Sequence, residues 1–137
     1  MKKIICVAAA ILVGVSVAGY VMYGISGSEA EDEPPAIRVI APDVVMPTKV
    51  SRPGCEADDR CYVPAVISIV AGASVSWLND DSAFHSVTSG AYGAPTGLFD
   101  SGYMDPGEVF SHSFDEPGEY AYYCTLHEWM HGRVIVS

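Results

Sequence analysis

Positive charge is scarce. Seven Lys and Arg stand against 17 Asp and Glu in 137 residues, a net charge of −10. Past residue 28 the imbalance sharpens: all 17 acids but only five of the bases fall there, a net of −12. Such a surface repels phosphates and excludes nucleic acid as a partner, whereas a basic protein partner, or simple solubility, accounts for it. Helical periodicity is missing after Ser26 and no segment repeats, which points away from bundles and repeat arrays. Cysteine is sparse as well, at Cys6, Cys55, Cys61 and Cys124.

Long apolar runs are confined to one place. Met1-Lys2-Lys3 is followed by a largely apolar stretch from Ile4 to Ile25. A cleaved signal peptide has an apolar core of about 7–15 residues and a spanning helix needs about 20, so the length favours a retained anchor over a cleaved leader. Residues 1–26 are therefore expected to be a hydrophobic helix holding the protein to a membrane. Lys2 and Lys3 stay inside and the domain lies outside the cytoplasm, or is secreted or periplasmic after cleavage. Residues 27–36, ending in Pro34-Pro35, are acidic and lack large apolar side chains, which reads as an extended linker. The folded domain is 37–137, expected as a monomer.

What is present in that domain is strand pattern. Ile37 to Val45 reads as a first strand, with Pro42 marking an edge or bend. Val66 to Trp77 reads as two strands joined at Ala71-Gly72, because Ile67, Ile69, Val75 and Trp77 alternate with small polar residues. Asn79-Asp80-Asp81-Ser82 breaks the pattern and Phe84 to Thr88 resumes it. Gly90 to Gly107, rich in Gly, Pro and Asp, reads as a long loop. Glu108 to Phe114 is a strand with Phe110, His112 and Phe114 on one face, which makes His112 structural. Pro117-Gly118 punctuates the turn into a final strand pair. Seven or so short strands argue for an all-β sandwich.

Cys55 and Cys61 bracket a short polar loop, most simply a disulfide in an exported protein. That pairing leaves Cys124 as the free thiol of the domain. Cys124, His127 and Met130 follow one another at C-x-x-H-x-x-M between two strands. A thiolate with imidazoles and a weak axial thioether suits a mononuclear electron-transfer copper site. A third strong ligand is required, and His85 is the candidate. Two-residue periodicity puts Cys124 on the face of Tyr120 and Tyr122. If loops gather at one end of the sandwich, His85 and Cys124 can meet there. Met104 is an axial alternative, but it precedes a turn at Asp105-Pro106-Gly107.

From about Val39 to Val136 the sequence resembles the small blue copper proteins, cupredoxins of the plastocyanin, amicyanin and halocyanin kind. The matching parts are Asn79…Phe84-His85-Ser86-Val87, the strand from Gly118 through Tyr120 to Cys124, and the Cys124–Met130 loop with Gly132-Arg133-Val134 after it. The resemblance implies a Greek-key β-sandwich with one type 1 copper ion held by His85, Cys124, His127 and Met130. It also implies an electron carrier rather than an enzyme, exchanging electrons with protein donors and acceptors. The His127–Met130 gap is that of amicyanin, although Leu126 and Glu128 stand where the family often has prolines. Ser86 occupies the place of an asparagine that supports the ligand loop in plastocyanin. Trp129, with Tyr92, Pro95 and Leu98 of the long loop, is expected to form an exposed partner patch around His127.

Two other functions fit parts of the pattern. His127-Glu128-Trp129-Met130-His131 matches the H-E-x-x-H signature of zinc hydrolases, which requires a helix and a further downstream ligand. The residues on both sides are strand formers and the chain has no later ligand. A copper-binding delivery protein would use exposed methionines. A dinuclear copper centre lacks its second loop cysteine, and the histidines that flank the cysteine of multicopper oxidases are replaced by Tyr123 and Thr125.

Overall fold

The computed structural model describes residues 41–137. The expected hydrophobic helix over 1–26 and the linker over 27–36 lie outside the described residues, as does the start of the expected first strand. No helix among the described residues is long and apolar enough to cross a membrane.

Two sheets face each other. One has three strands in the order β1 (Val44–Met46), β3 (Ala73–Asn79) and β6 (Val109–Phe114). The other has five, in the order β2 (Val66–Ile69), β8 (His131–Val136), β7 (Gly118–Tyr123), β4 (Thr88–Ala91) and β5 (Ala94–Asp100). The chain crosses between sheets from β1 to β2, β2 to β3, β3 to β4, β5 to β6 and β6 to β7. The β1–β3 and β2–β8 pairs are parallel and the rest antiparallel.

Alternation explains the core. Along β3 the side chains of Val75, Trp77 and Asn79 are buried, while Ser74 is exposed and Ser76 and Leu78 are only partly covered. The Trp77 ring meets Tyr122 of the opposite sheet at 5.4 Å, nearly edge-on, and Phe110 of its own sheet at 5.8 Å. Burying each such side chain contributes about 1.5–3 kcal/mol. Gly132 lies opposite Tyr122 across β7–β8, and a side chain there would strike the Tyr122 ring. Glycine lets the ring lie flat over the neighbouring backbone.

The stretch read as a loop over 90–107 is corrected. It contains β5, which forms a hairpin with β4. As an edge strand β5 buries only Phe99, so no alternating pattern marks it, and an edge tolerates Pro95. Gly90 has φ +114° and abuts the Ala94 carbonyl too closely for any side chain. The strand read over 84–88 is also corrected, because β4 starts at Thr88. His85 makes only an isolated bridge to Met104.

The connection from β1 to β2 contains a strap, residues 47–63, that passes over the end of the sandwich where His85 and Cys124 lie. The strap carries a single 3-10 turn, Cys55–Asp58, and the Cys55–Cys61 disulfide.

Candidate metal centre

The thiol arrives on β7. Cys124 follows Tyr123 directly and is fully buried, as Tyr122 is. The ligand loop then closes on itself: Met130 N–H donates to the His127 carbonyl at 3.0 Å, and Cys124 N–H to the Met130 carbonyl at 3.1 Å. His85 arrives on the crossing from β3 to β4. Its backbone exchanges hydrogen bonds with Met104 at 3.3 and 2.8 Å. The Asn79 amide holds that crossing by donating to the carbonyls of Ala83 and Met104 at 2.8 and 3.0 Å.

The two elements bring three donor atoms together. Cys124 Sγ lies 3.5 Å from His127 Nδ1 and 3.9 Å from His85 Nδ1, and the imidazole rings are 4.7 Å apart. Metal bonds of about 2.0–2.3 Å spread trigonally require donor separations of about 3.5–3.8 Å. The triangle therefore fits a mononuclear ion. Met130, fully buried at the end of the same loop, supplies a thioether. Met104, also buried, is paired to His85 through its backbone.

A residue that the sequence reading passed over as a strand breaker organises His85. Asp81 is 4% exposed, and its carboxylate faces His85 Nε2 at 3.1 Å. It also accepts N–H bonds from Lys49 at 2.9 Å, Ser51 at 3.1 Å and Ser82 at 2.8 Å. Burial alone would raise its pKa, but these donors hold it far below the carboxylate range. An ionised Asp81 keeps the proton on His85 Nε2 and leaves Nδ1 as the donor atom, the usual arrangement behind a ligand imidazole. A carboxylate four residues before a ligand histidine was the only available clue in the sequence.

Protonation equilibria at the site favour metal at Cys124 and His127 and oppose it at His85. Burial pushes the Cys124 thiol up, but His85 and the N–H groups of Leu126 and Ser86 bring it below its ordinary value. Burial, followed by the charge on His85, lowers His127 and keeps it neutral. Burial would lower His85 too, yet contact with Cys124 and Asp81 raises it. Metal binding there displaces the Nδ1 proton and retains the Nε2–H bond to Asp81.

Ser86 takes up the support of the ligand loop. Its hydroxyl oxygen accepts the Thr125 N–H at 2.9 Å and lies 3.0 Å from Thr125 Oγ1. The strap clamps the other end of the loop, with Trp129 Nε1 donating to the Val50 carbonyl at 3.0 Å. Cys61 Sγ rests 3.8 Å from the Trp129 carbonyl. The disulfide thus packs against the residue before Met130.

Of the residues expected to form a partner patch around His127, Trp129 lies beside it and Tyr92, Pro95 and Leu98 are spread over β5 and its turns. Trp129 is half-buried, with its ring 5.2 Å from that of His127. Tyr92 is exposed on the β4–β5 turn against Tyr123 and lines a cleft with Glu128 and His131. Pro95 is exposed on β5 opposite Gly90. Leu98 lines a separate cleft with His112, Asp115 and Glu116, by the β6–β7 turn and at the end of β7 remote from Cys124. The exposed apolar side chains next to the ligands are instead Phe84, beside His85, and Leu126, beside His127. Single neighbours of ligands carry no periodic signal, so the sequence did not mark them. His112 is half-buried between the rings of Phe99 and Phe114. The zinc-hydrolase alternative is corrected: residues 127–131 form a turn entering β8, not a helix, and His131 is exposed on the strand.

A two-sheet sandwich with one thiol and two imidazoles at one end is the construction of a cupredoxin. Residues 52–137 match the copper binding proteins of the plastocyanin/azurin family. Chloroplastic plastocyanin of Tetradesmus obliquus is 34% identical over 92 residues, covering 61% of this chain and 63% of that protein. Amicyanin of Paracoccus versutus is 32% identical over 76 residues, covering 56% of this chain and 58% of that protein. The chain thus spans less than two thirds of either relative. Among solved structures, a purple cupredoxin from Nitrosopumilus maritimus superposes with a TM-score of 0.62 at 35% identity, covering 69% of this chain and 97% of that one. The chain belongs to the plastocyanin/azurin family of copper binding proteins, and its type 1 copper site is formed by His85, Cys124, His127 and Met130.

Proposed function

We propose that the protein is a one-electron carrier that works outside the cytoplasmic membrane, exchanging electrons with protein donors and acceptors. The observation that carries this reading is the Cys124–His127–His85 triangle, with Cys124 Sγ 3.5 and 3.9 Å from the two imidazole nitrogens. Copper supplies the one-electron couple when bound. The chain's part is to hold the donors so that little has to move when the charge changes. Asp81 fixes the His85 tautomer, Ser86 pins Thr125 next to the thiol, and the strap holds Trp129. All four ligand side chains are spoken for, leaving no position for a substrate, unlike catalytic metal sites that keep one open. This supports a carrier over an enzyme.

Copper delivery is the weaker reading. Met46, Met104 and Met130 are all buried, so the described residues offer no exposed thioethers for passing on a metal. An extracytoplasmic setting is supported by the apolar run Ile4–Ile25 behind two lysines and by a disulfide in the domain. Phe84 and Leu126 beside the ligands suit a partner contact close to the metal. The test is voltammetry of the copper-loaded protein. A reversible one-electron wave, with the visible band bleached by reductant and restored by oxidant, supports the carrier. Metal loss on reduction favours delivery.

A further inference from the structure

Net charge alone predicts a basic partner, but the few cations of the described residues are concentrated in the strap. The described residues hold 13 acids and four cations, Lys49, Arg52, Arg60 and Arg133. Three of those four, Lys49, Arg52 and Arg60, line one cleft of about 330 Å³ in the strap, and no acid lines it. Among the described residues neither Lys49 nor Arg52 is ion-paired, while Arg60 holds Asp58 at 2.8 Å. Of the strap's three acids, Glu56 and Asp58 bond residues of the cleft wall, Glu56 accepting the Gly54 N–H at 2.6 Å, and Asp59 faces a different cleft with His131 and Arg133.

The cleft is joined to the metal centre. Lys49 and Ser51 donate their N–H groups to Asp81, which meets His85. Val50 between them accepts from Trp129, whose ring lies 5.2 Å from that of His127. Lys49 has φ +75°, an uncommon backbone for a side chain of its kind. Its N–H thus turns inward to Asp81 while the side chain remains exposed to solvent.

We propose that this cleft is the docking site for the carboxylate-bearing face of a redox-protein partner, which seats its acidic groups against Lys49, Arg52 and Arg60. The remaining acids of the surface orient the approach by repelling the same partner elsewhere. The inference rests on the electron-carrier reading.

Hexacyanoferrate(III) is a suitable anionic probe, since it takes one electron from the reduced protein and no proton moves. Its rate of restoring the visible band is followed by stopped flow at rising ionic strength. The expected result is a rate that falls with salt, despite the net negative charge. The double variant Lys49→Gln/Arg52→Glu should slow the reaction about tenfold at low salt and reverse the salt trend. Arg52→Glu alone, which leaves the Lys49 backbone untouched, should do so in part, and Arg133→Glu should change little. Poly-glutamate should compete in the wild type and not in the double variant. A wild-type rate that rises with salt, or equal losses in Arg133→Glu and Arg52→Glu, would overturn the proposal. Salt behaviour as expected without poly-glutamate competition would also overturn it, reducing the cleft to a site for small anions. Failure of the band to bleach and return at all would sink the carrier reading itself, a different outcome from any of these.

Discussion

Replacing Asp81 with alanine tests the organisation of the site without any metal present. The change removes the acceptor of three backbone N–H bonds and the partner of His85 Nε2. Hydrogen bonds to a charged group contribute about 1.5–3 kcal/mol each, and breaking one side of a buried pair costs about 3–5 kcal/mol. Lys49 and Ser82 are exposed and Ser51 partly so, which lets water recover part of their bonds, but His85 is fully buried. The expected net cost is therefore about 3 kcal/mol. At a urea slope of about 1.5 kcal/mol/M this moves the unfolding midpoint of the metal-free protein down by about 2 M, with the slope unchanged. Asp80→Ala, next door and exposed, should cost less than about 0.5 kcal/mol. Because the native pKa of Asp81 is depressed, its contribution is complete above the ordinary carboxylate pKa and is lost as pH falls toward the native value. The gap between wild type and variant should narrow in acid. A cost equal to that of Asp80→Ala, or a gap that widens in acid, would refute the assignment.

Three further outcomes are expected. Ser86→Ala leaves Thr125 N–H without its acceptor and should cost about 1–2 kcal/mol in the same urea assay, with a shifted visible band in the copper-loaded protein. Gly132→Ala forces a methyl into the Tyr122 ring and should cost about 1–3 kcal/mol in thermal or urea unfolding, whereas Gly118→Ala, whose new methyl meets Tyr120 at an ordinary 3.5 Å, should be near neutral. Burial raises Tyr122 from 10.0 to about 12, so its contribution to stability is complete below pH 10 and lost between there and about 12. That shift is worth about 3 kcal/mol, and Tyr122→Phe should flatten the alkaline loss of stability.

The ligand set was legible because three of its members sit in one short loop at Cys124, His127 and Met130. Strand periodicity then turned Cys124 to the same side as the buried Tyr122. His85 came from the family resemblance and the expected gathering of loops. Asp81 escaped because its partners on the strap are some 30 residues away in sequence, at Lys49 and Ser51. Only the folded strap brings those N–H groups onto its carboxylate. β5 was missed for a different reason. An edge strand that buries Phe99 alone shows neither alternation nor hydrophobic bulk. Leu98 was assigned to the partner patch on the assumption that residues 90–107 form a loop over the metal end. Once β5 pairs with β4, its register carries Leu98 toward the β6–β7 turn instead.

The most direct measurement of the central claim is titration of the metal-free protein with Cu(II), followed by visible absorption. One equivalent should generate an intense thiolate-to-copper band that is absent in Cys124→Ser and weakened in His85→Ala. A colourless complex, a stoichiometry of two, or a band that survives Cys124→Ser would contradict the account.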